Sequence, residues 1–299
     1  MSKIIVIGSS NTDMVVRTDH FPAAGQTIMG GEFFMFSGGK GANQAVAAAR
    51  MEAEVFFIGN TGGDIFGHRA IEMLNKEGIN TDFICMDQEK PSGIALILVD
   101  RHGENEIVVA PGANATLSEQ HISKAEKIIT ESDLILLQLE IPLDTVIFAA
   151  ELGARLQKKV ILNPAPAQPL PDELLQHLFL ITPNETEAEI LTGIKIHDQP
   201  SAAKAASVLL SKGVKQVVIT LGPKGAFYKS DQFELMVEAP KVNAVDTTAA
   251  GDVFNGALAV EISNGKDWKS AISFACKAAS LSVTQMGAQA SMPMRSDIS

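Results

Sequence analysis

The 299-residue chain has only two cysteines, Cys85 and Cys276, and a single tryptophan and a single tyrosine. Neither cysteine sits in a CxxC or Cys/His spacing, so no disulfide framework or zinc site is expected, and a reducing cytoplasm is the compartment that fits. Basic residues are the minority, 24 against 35 acidic, and the net charge of −11 repels nucleic acid and anionic lipid at long range. Long hydrophobic runs are missing too. Every apolar block is cut by charge, Gly or Pro before the roughly 18 residues that cross a bilayer. The segment Ile4 to Gly8 behind Met-Ser-Lys is too short for the apolar region of a signal peptide, so a soluble chain with a mature start is expected. There is no HExxH and no GxSxG, and no GxGxxG fingerprint follows the first apolar run. Zinc-hydrolase, serine-hydrolase and dinucleotide-dependent oxidoreductase chemistry therefore have no support.

What remains is ordinary globular composition, 46% apolar and 20% charged, with 24 Gly and 13 Pro spread throughout, which excludes disorder, collagen and coiled coil. The length allows one large domain or two modest ones. Apolar runs of strand length (Ile4 to Gly8, Val55 to Gly59, Leu134 to Leu139, Val160 to Asn163, Leu178 to Thr182, Val217 to Leu221) alternate with helical periods. The helices are expected at Ala42 to Met51, Ile65 to Glu77, Glu119 to Thr130, Leu143 to Gln157, Glu185 to Thr192 and Ala202 to Lys212, with Asp64 as an N-cap and Gly78 and Gly213 as C-terminal stops. This is the pattern of an α/β fold, a three-layer α/β/α sandwich on a mainly parallel sheet. Two stretches, 13–36 and 92–110, break the alternation with Thr/Val/Ile/Phe-rich runs and turn residues. They are expected to form a small β-sheet lid inserted into the single domain 1–299.

The densest motif is Asp246-Thr247-Thr248-Ala249-Ala250-Gly251-Asp252 before an apolar helical period starting at Val253. Small residues at a helix N-terminus expose backbone N–H groups that suit a transferring phosphate. Asp252 would repel that phosphate unless it accepts a proton from the attacking hydroxyl, which is the role of a kinase base. Taken singly, Asp246 and Asp252 also read as helix-start carboxylates favoured by the dipole; it is the eight-residue combination, from Val245, that tips the reading. Ser37-Gly38-Gly39-Lys40-Gly41-Ala42-Asn43 opens an Ala-rich helix but lacks the Ser/Thr of a phosphate loop. Its bare backbone with Lys40 and Asn43 suits a polyhydroxylated ligand, or it is a Gly-rich turn. Asn11, Asp13 and Glu140 follow apolar runs at the carboxyl ends where open α/β sheets bind ligands, although Asn11 and Asp13 equally suit a turn. Asn184 and Glu187 form either a capping box or a pair able to organise hydrated magnesium and phosphate oxygens. Thr220 and Gly222 end a run in a tight turn that approaches a nucleotide or begins a hairpin. Trp268 and Tyr228 are expected to pack.

These residues resemble the ribokinase-type (PfkB) carbohydrate kinases over essentially the whole chain, from Gly8-Ser-Ser-Asn-Thr-Asp13 through Gly38-Gly-Lys-Gly-Ala-Asn43 and Asn184-x-x-Glu187 to Asp246–Asp252 and Gly287-Ala-Gln-Ala-Ser-Met-Pro293. The resemblance implies transfer of the ATP γ-phosphate to O5 of D-ribose, with Mg2+ required and a monovalent cation, usually K+, activating. It implies that Asn11, Asp13, Gly39, Lys40, Asn43 and Glu140 contact the sugar, that Asp252 is the general base, and that Ala249, Ala250 and Gly251 form the anion hole. Asn184 and Glu187 would lie near the phosphates and Mg2+, Thr220 and Gly222 near the nucleotide, and Cys276 by the adenine pocket. Asp246, Thr248, Ser282, Gln285, Gly287 and Ser291 would hold the monovalent cation. A homodimer through the lid is also implied. The sequence departs from many members in one place, having Ala249 where they have Gly. Within the family, deoxyribokinase, fructokinase and adenosine kinase activities are the alternatives. Outside it, a sugar-binding regulator would need a broken anion hole or a missing base.

Overall fold

The computed structural model describes residues 2–298. Its strands are β1 (Lys3–Ile7), β2 (Asn11–Arg17), β3 (Glu32–Gly38), β4 (Glu54–Gly62), β5 (Asn80–Asp87), β6 (Gly93–Val99), β7 (Asn105–Ala110), β8 (Leu134–Leu137), β9 (Lys159–Leu162), β10 (Leu180–Ile181), β11 (Gln216–Thr220), β12 (Ala226–Lys229) and β13 (Glu234–Val237). The helices are α1 (Lys40–Arg50), α2 (Ile65–Lys76), α3 (Glu119–Lys124), α4 (Glu126–Thr130), α5 (Leu143–Arg155), α6 (Asp172–Leu175), α7 (Glu185–Thr192), α8 (Gln199–Ser211), α9 (Ala250–Ser263) and α10 (Trp268–Ser282).

Nine strands form the main sheet in the order β13-β12-β11-β10-β9-β8-β1-β4-β5, parallel from β11 to β5, with β12 and β13 added antiparallel at one edge. Because strand side chains alternate, each central strand serves two cores. Ile4, Val6, Leu134 and Leu136 face the layer of α1, α9 and α10, whereas Ile5, Ile7, Ile135 and Leu137 face the layer of α3 to α8. This two-sided burial is why the runs read as continuously apolar. The sandwich expected from the sequence is the observed one.

Several details differ from the sequence reading. The helix expected over Glu119 to Thr130 is two short helices broken at Ala125. The strands β5 and β13 are not among the expected ones; β5 lies at an edge and carries polar residues among its apolar ones. The Thr220 turn does begin a hairpin, between β11 and β12. Asp64 caps α2 by accepting from Phe66 N and Gly67 N, and also from Ser92 N and Oγ, which ties α2 to the start of β6. Tyr228 stacks on Trp268 with ring centroids 4.5 Å apart, as packing residues. Among the described residues no helix is long and apolar enough to cross a membrane.

The stretches that broke the alternation form a second sheet in the order β3-β2-β6-β7, covering 11–38 and 93–110, slightly wider than expected at its first segment. Only β2 and β6 are parallel; the other pairs are antiparallel.

Helix α9 is buried along almost its whole length, so its polar face was invisible as a period. It approaches α1 very closely at Gly256, where a Cβ would lie 2.6 Å from the Cβ of Ala47 and 2.8 Å from the carbonyl of Gln44. This approach sets the start of α9 beside the start of α1, and the site is built there.

Candidate active site

Ala249, the N-cap of α9, adopts a left-handed conformation with φ 59° and offers no side-chain cap. The left-handed region costs an alanine roughly 1–2 kcal/mol, so the methyl group noted in the sequence is held by its surroundings. The Ala249, Gly251 and Asp252 amides make no hydrogen bond among the described residues, while the Ala250 amide bends back to the carbonyl of Thr247 at 3.3 Å. The free N–H set is therefore shifted from the expected trio, with Asp252 taking the place of Ala250. A Cβ at Gly251 would meet nothing within 4 Å, so this turn faces open space.

The Asp252 side chain does not cap the helix. It turns toward α1, where Asn43 Nδ2 donates to its Oδ2 and Gln44 Nε2 to its Oδ1, both at 3.0 Å. Burial, the largest influence, raises its carboxyl above the ordinary range; Lys40, Asn43 and Gln44 oppose this, and Glu140 adds to it. Burial likewise pulls the Lys40 ammonium down, but Asp252, Glu140, Glu187 and Asp13 together outweigh it and hold the ammonium charged.

On one side of Asp252 stand Asn11, Asp13, Gly39, Lys40, Asn43 and Glu140. Gly39 is the N-cap of α1 at φ 87°, and a Cβ there would lie 2.7 Å from Asn11 N, so glycine is what lets the turn fold against β2. Glu140 closes the start of α1, its Oε2 accepting from Lys40 N at 3.0 Å and from Ser9 Oγ at 2.6 Å. Asn11 Oδ1 accepts from Asn114 Nδ2 at 2.7 Å, and Asn114 Oδ1 in turn accepts from Ser10 N. The carboxyl of Asp13 has no hydrogen-bond partner among the described residues, and burial with the nearby charges of Glu140 and Asp252 pushes it up to about 6 against the pull of Lys40.

On the other side a cleft of about 730 Å3 is lined by Lys40, Asn184, Glu187, Thr220, Gly222, Gly251, Asp252 and Cys276. The capping-box reading of Asn184 and Glu187 holds, because Asn184 Oδ1 accepts from Glu187 N while Glu187 Oε2 accepts from Asn184 N. The same two residues also line the cleft, so the two readings do not compete. Burial raises the Glu187 carboxyl, against Asn184 and Lys40. Burial pushes the Cys276 thiol up to about 12, which makes it an inert wall residue.

The turn at Asp246 is closed by Thr248, whose N and Oγ1 donate to Asp246 Oδ1 at 2.9 and 2.6 Å. Gly287 N donates to Asp246 Oδ2 at 2.9 Å, and Val283 O accepts from Asp246 N, which joins this turn to the segment behind α10. Burial opposes the ionised form of Asp246, but the bonds from Thr248 and Gly287, with Arg17 nearby, carry it below the ordinary range. Ser282 ends α10 and Gln285 lies in the segment behind it, linked by Gln285 N to Ser282 O at 3.3 Å. Ser291 is buried, its hydroxyl donating to Ala288 O.

Sequence reasoning missed a network of buried amides. Gln44 Nε2 also donates to Asn163 Oδ1, Asn163 Nδ2 to Thr182 O, Thr182 Oγ1 to Asn255 Oδ1, and Asn255 Nδ2 to Gly251 O. Asn163 and Thr182 follow β9 and β10 at their carboxyl ends, a signal that applied to them as it did to Asn11. The loop 239–244, the α10 face at Ala279 and Ser280, and Val283 just beyond it complete the cleft, and no local motif marks them.

The model of the pfkB family of carbohydrate kinases matches residues 1–295, and the chain belongs to this family. It is 46% identical over 294 residues to a ribokinase of Haemophilus influenzae, covering 98% of this chain and 96% of that one. It is also 39% identical over 291 residues to a deoxyribokinase of Salmonella typhi, covering 97% and 95%. The fold matches the solved structure of Arabidopsis thaliana ribokinase complexed with ribose and ATP, with a TM-score of 0.95 at 33% identity, covering 100% of this chain and 98% of that one.

Proposed function

We propose that the chain transfers the γ-phosphate of ATP to O5 of D-ribose, with Asp252 as the general base. The observation that carries this reading is the placement of one buried carboxylate between a polar chamber of hydroxyl-binding side chains and a cleft of nucleotide size, beside free amides at a helix N-terminus. In this reading Asn11 and Asp13 accept from and donate to vicinal hydroxyls, Lys40, Asn43 and Glu140 fix the remaining edge of the ring, and Gly39 gives the backbone its close approach. Asp252 takes the O5 proton as the oxygen attacks, while the amides at Ala249, Gly251 and Asp252 receive the charge on the transferring group. The nucleotide lies along Asn184, Thr220, Gly222 and Cys276.

The charge balance fits a cation arriving with the nucleotide. Asp13, Glu140, Glu187 and Asp252 surround one Lys40, so bare phosphates would be repelled. Among the described residues no three His, Cys, Asp or Glu side chains form a ready-made metal cage. Mg2+ does not need one, since it keeps several waters and is held through substrate phosphates with one or two carboxylates. Asn184 and Glu187 would meet its hydration shell, and bound Mg2+ supplies neutralisation of phosphate charge. Asp246, Thr248, Ser282, Gln285, Gly287 and Ser291 would hold the monovalent cation away from substrate.

The test is ADP release measured over pentoses, hexoses and nucleosides, with and without K+. Ribose should give the highest efficiency, with 2-deoxyribose disfavoured because a site that hydrogen-bonds a hydroxyl penalises its loss. Equal efficiency on the two sugars would move the reading to the deoxyribokinase side of the family.

We further propose that the small sheet acts as a lid over the sugar chamber, excluding water as a competing acceptor, and that two copies join through it. Phe33, Leu96 and Val108 are exposed on one face of this sheet, an apolar area that a monomer would leave in water, while Ile107 and Val109 are exposed on the opposite face. Sedimentation at micromolar protein should give twice the chain mass; a single-chain mass counts against the pairing.

A further inference from the structure

Each of the two amides that meet Asp252 has another amide behind it. Gln289 Nε2 donates to Asn43 Oδ1 at 3.1 Å, which leaves Asn43 Nδ2 to face Asp252 at 3.0 Å. Gln138 Nε2 donates to Gln44 Oε1 at 2.7 Å, which leaves Gln44 Nε2 to face the other carboxylate oxygen at 3.0 Å. A primary amide has a donor end and an acceptor end of almost the same shape, so sterics alone do not choose between its two orientations. The carboxylate of Asp252 favours the donor end on its own side, and the outer amide, donating to the far oxygen, favours the same orientation. With Asn43 turned over, its oxygen would oppose a carboxylate oxygen and its NH2 would oppose the NH2 of Gln289.

Gln289 is held at both ends. Arg50 Nη1 donates to Gln289 O at 2.9 Å and to Met292 O at 2.7 Å, and the same guanidinium is paired with Glu77. Arg50 and Asn43 both belong to α1, about two turns apart, so one helix grips this segment at two levels. Just before Gln289, Gly287 N is bonded to Asp246, so the segment that reaches Asn43 is also the one that closes onto the 246–248 turn.

We infer that Gln289 is a positioning residue for phosphoryl transfer: by donating to Asn43 it keeps the donor end of that amide on Asp252, and it ties the 246–248 turn to the base. The inference rests on Asp252 being the base. The groups around Asp252 are Lys40, Asn43 and Gln44 from α1, Asp13 from β2, Glu140 behind β8 and Glu187 from α7. Three of these are like charges, and burial also opposes ionisation. Lys40 and the two amide donors are the groups that favour the proton-accepting form against burial and these like charges, so turning one donor away is felt directly.

The experiment is the pH profile of the single-turnover phosphoryl-transfer rate with ribose, ATP and Mg2+ for the natural chain, Gln289→Leu, Gln289→Glu and Asp252→Asn. With its far side released, Asn43 holds the carboxylate less firmly, and weakening of that hydrogen bond should move the acid limb up by at most about one pH unit in Gln289→Leu. In Gln289→Glu the movement should be larger, because an acceptor in place of the donor turns Asn43 over. Should Gln289→Glu fail to fold, Gln289→Leu alone decides. An acid limb that stays put in the folded Gln289 variants, with transfer abolished in Asp252→Asn, overturns the positioning role and leaves the base intact. Normal transfer in Asp252→Asn removes the base, and the inference with it. A uniform loss at every pH in Gln289→Leu makes the residue structural and also overturns the inference.

Discussion

Asp252→Asn should lower turnover by about 10²-fold or more, the range for removal of a general base, while the KM for ribose stays within a few-fold. The substitution keeps the shape of the side chain and removes its charge. One of its two donors, Asn43 or Gln44, then faces an NH2 group and must turn away. The cost to folding is offset because the buried charge disappears as well, so the thermal midpoint should not fall. Steady-state kinetics beside a melting curve checks both halves. Near-normal turnover would show that the O5 proton leaves by another route; a collapse of ribose affinity with turnover intact would make Asp252 a binding group.

The second large effect is expected at Asp13, and its sign depends on pH. The carboxyl moves from an ordinary 3.8 to about 6 in the folded chain, with burial as the main cause. The folded state therefore holds a proton that the unfolded state releases between those values. Below about pH 4 the residue costs nothing; across the window the cost grows, and above pH 6 it is complete, roughly 3 kcal/mol at most. Asp13→Asn should then raise the melting temperature by several degrees at pH 8 and by nothing at pH 4. The same change should raise the KM for ribose by 10-fold or more, since a charged hydrogen-bond partner is lost. Calorimetry at the two pH values with ribose kinetics at pH 8 makes the test. A stability gain that is the same at both pH values would mean that the carboxyl is not buried as a charge.

The opposite effects expected at Asp13 reflect how the site is made. Its carboxyl, left without a hydrogen-bond partner, is strained until a ligand arrives, which is a common feature of binding sites.

The fold was legible because the strands of a parallel sheet buried on both faces are uniformly apolar, and because α2 and α7 carry their own caps in Asp64 and Asn184. The candidate site was legible where it depends on chain position: Asn11 and Glu140 beyond the carboxyl ends of strands, Gly39 and Lys40 at the head of α1, and Asp252 at the head of α9. It was not legible where it depends on how two helices meet. Gln44 is one residue past a recognised motif, yet only the contact of Gly256 with Ala47 brings it to Asp252. The chain of Asn163, Thr182 and Asn255 crosses three elements and has no spacing in the sequence. Asn184 and Glu187 show the other side of the problem, since one local pattern caps a helix and faces a cleft at once.

Asn11 and Asp13 are carried on β2, in the small sheet, whereas Asn43, Gln44 and Asp252 are carried on helices packed into the main body. On the proposed reading, part of the recognition of the acceptor thus belongs to a different structural support from the machinery that activates it. On that reading, changes in the small sheet would redirect the choice of sugar while the reacting centre is inherited unaltered, a division that would let one scaffold diversify among acceptors without reinventing its chemistry.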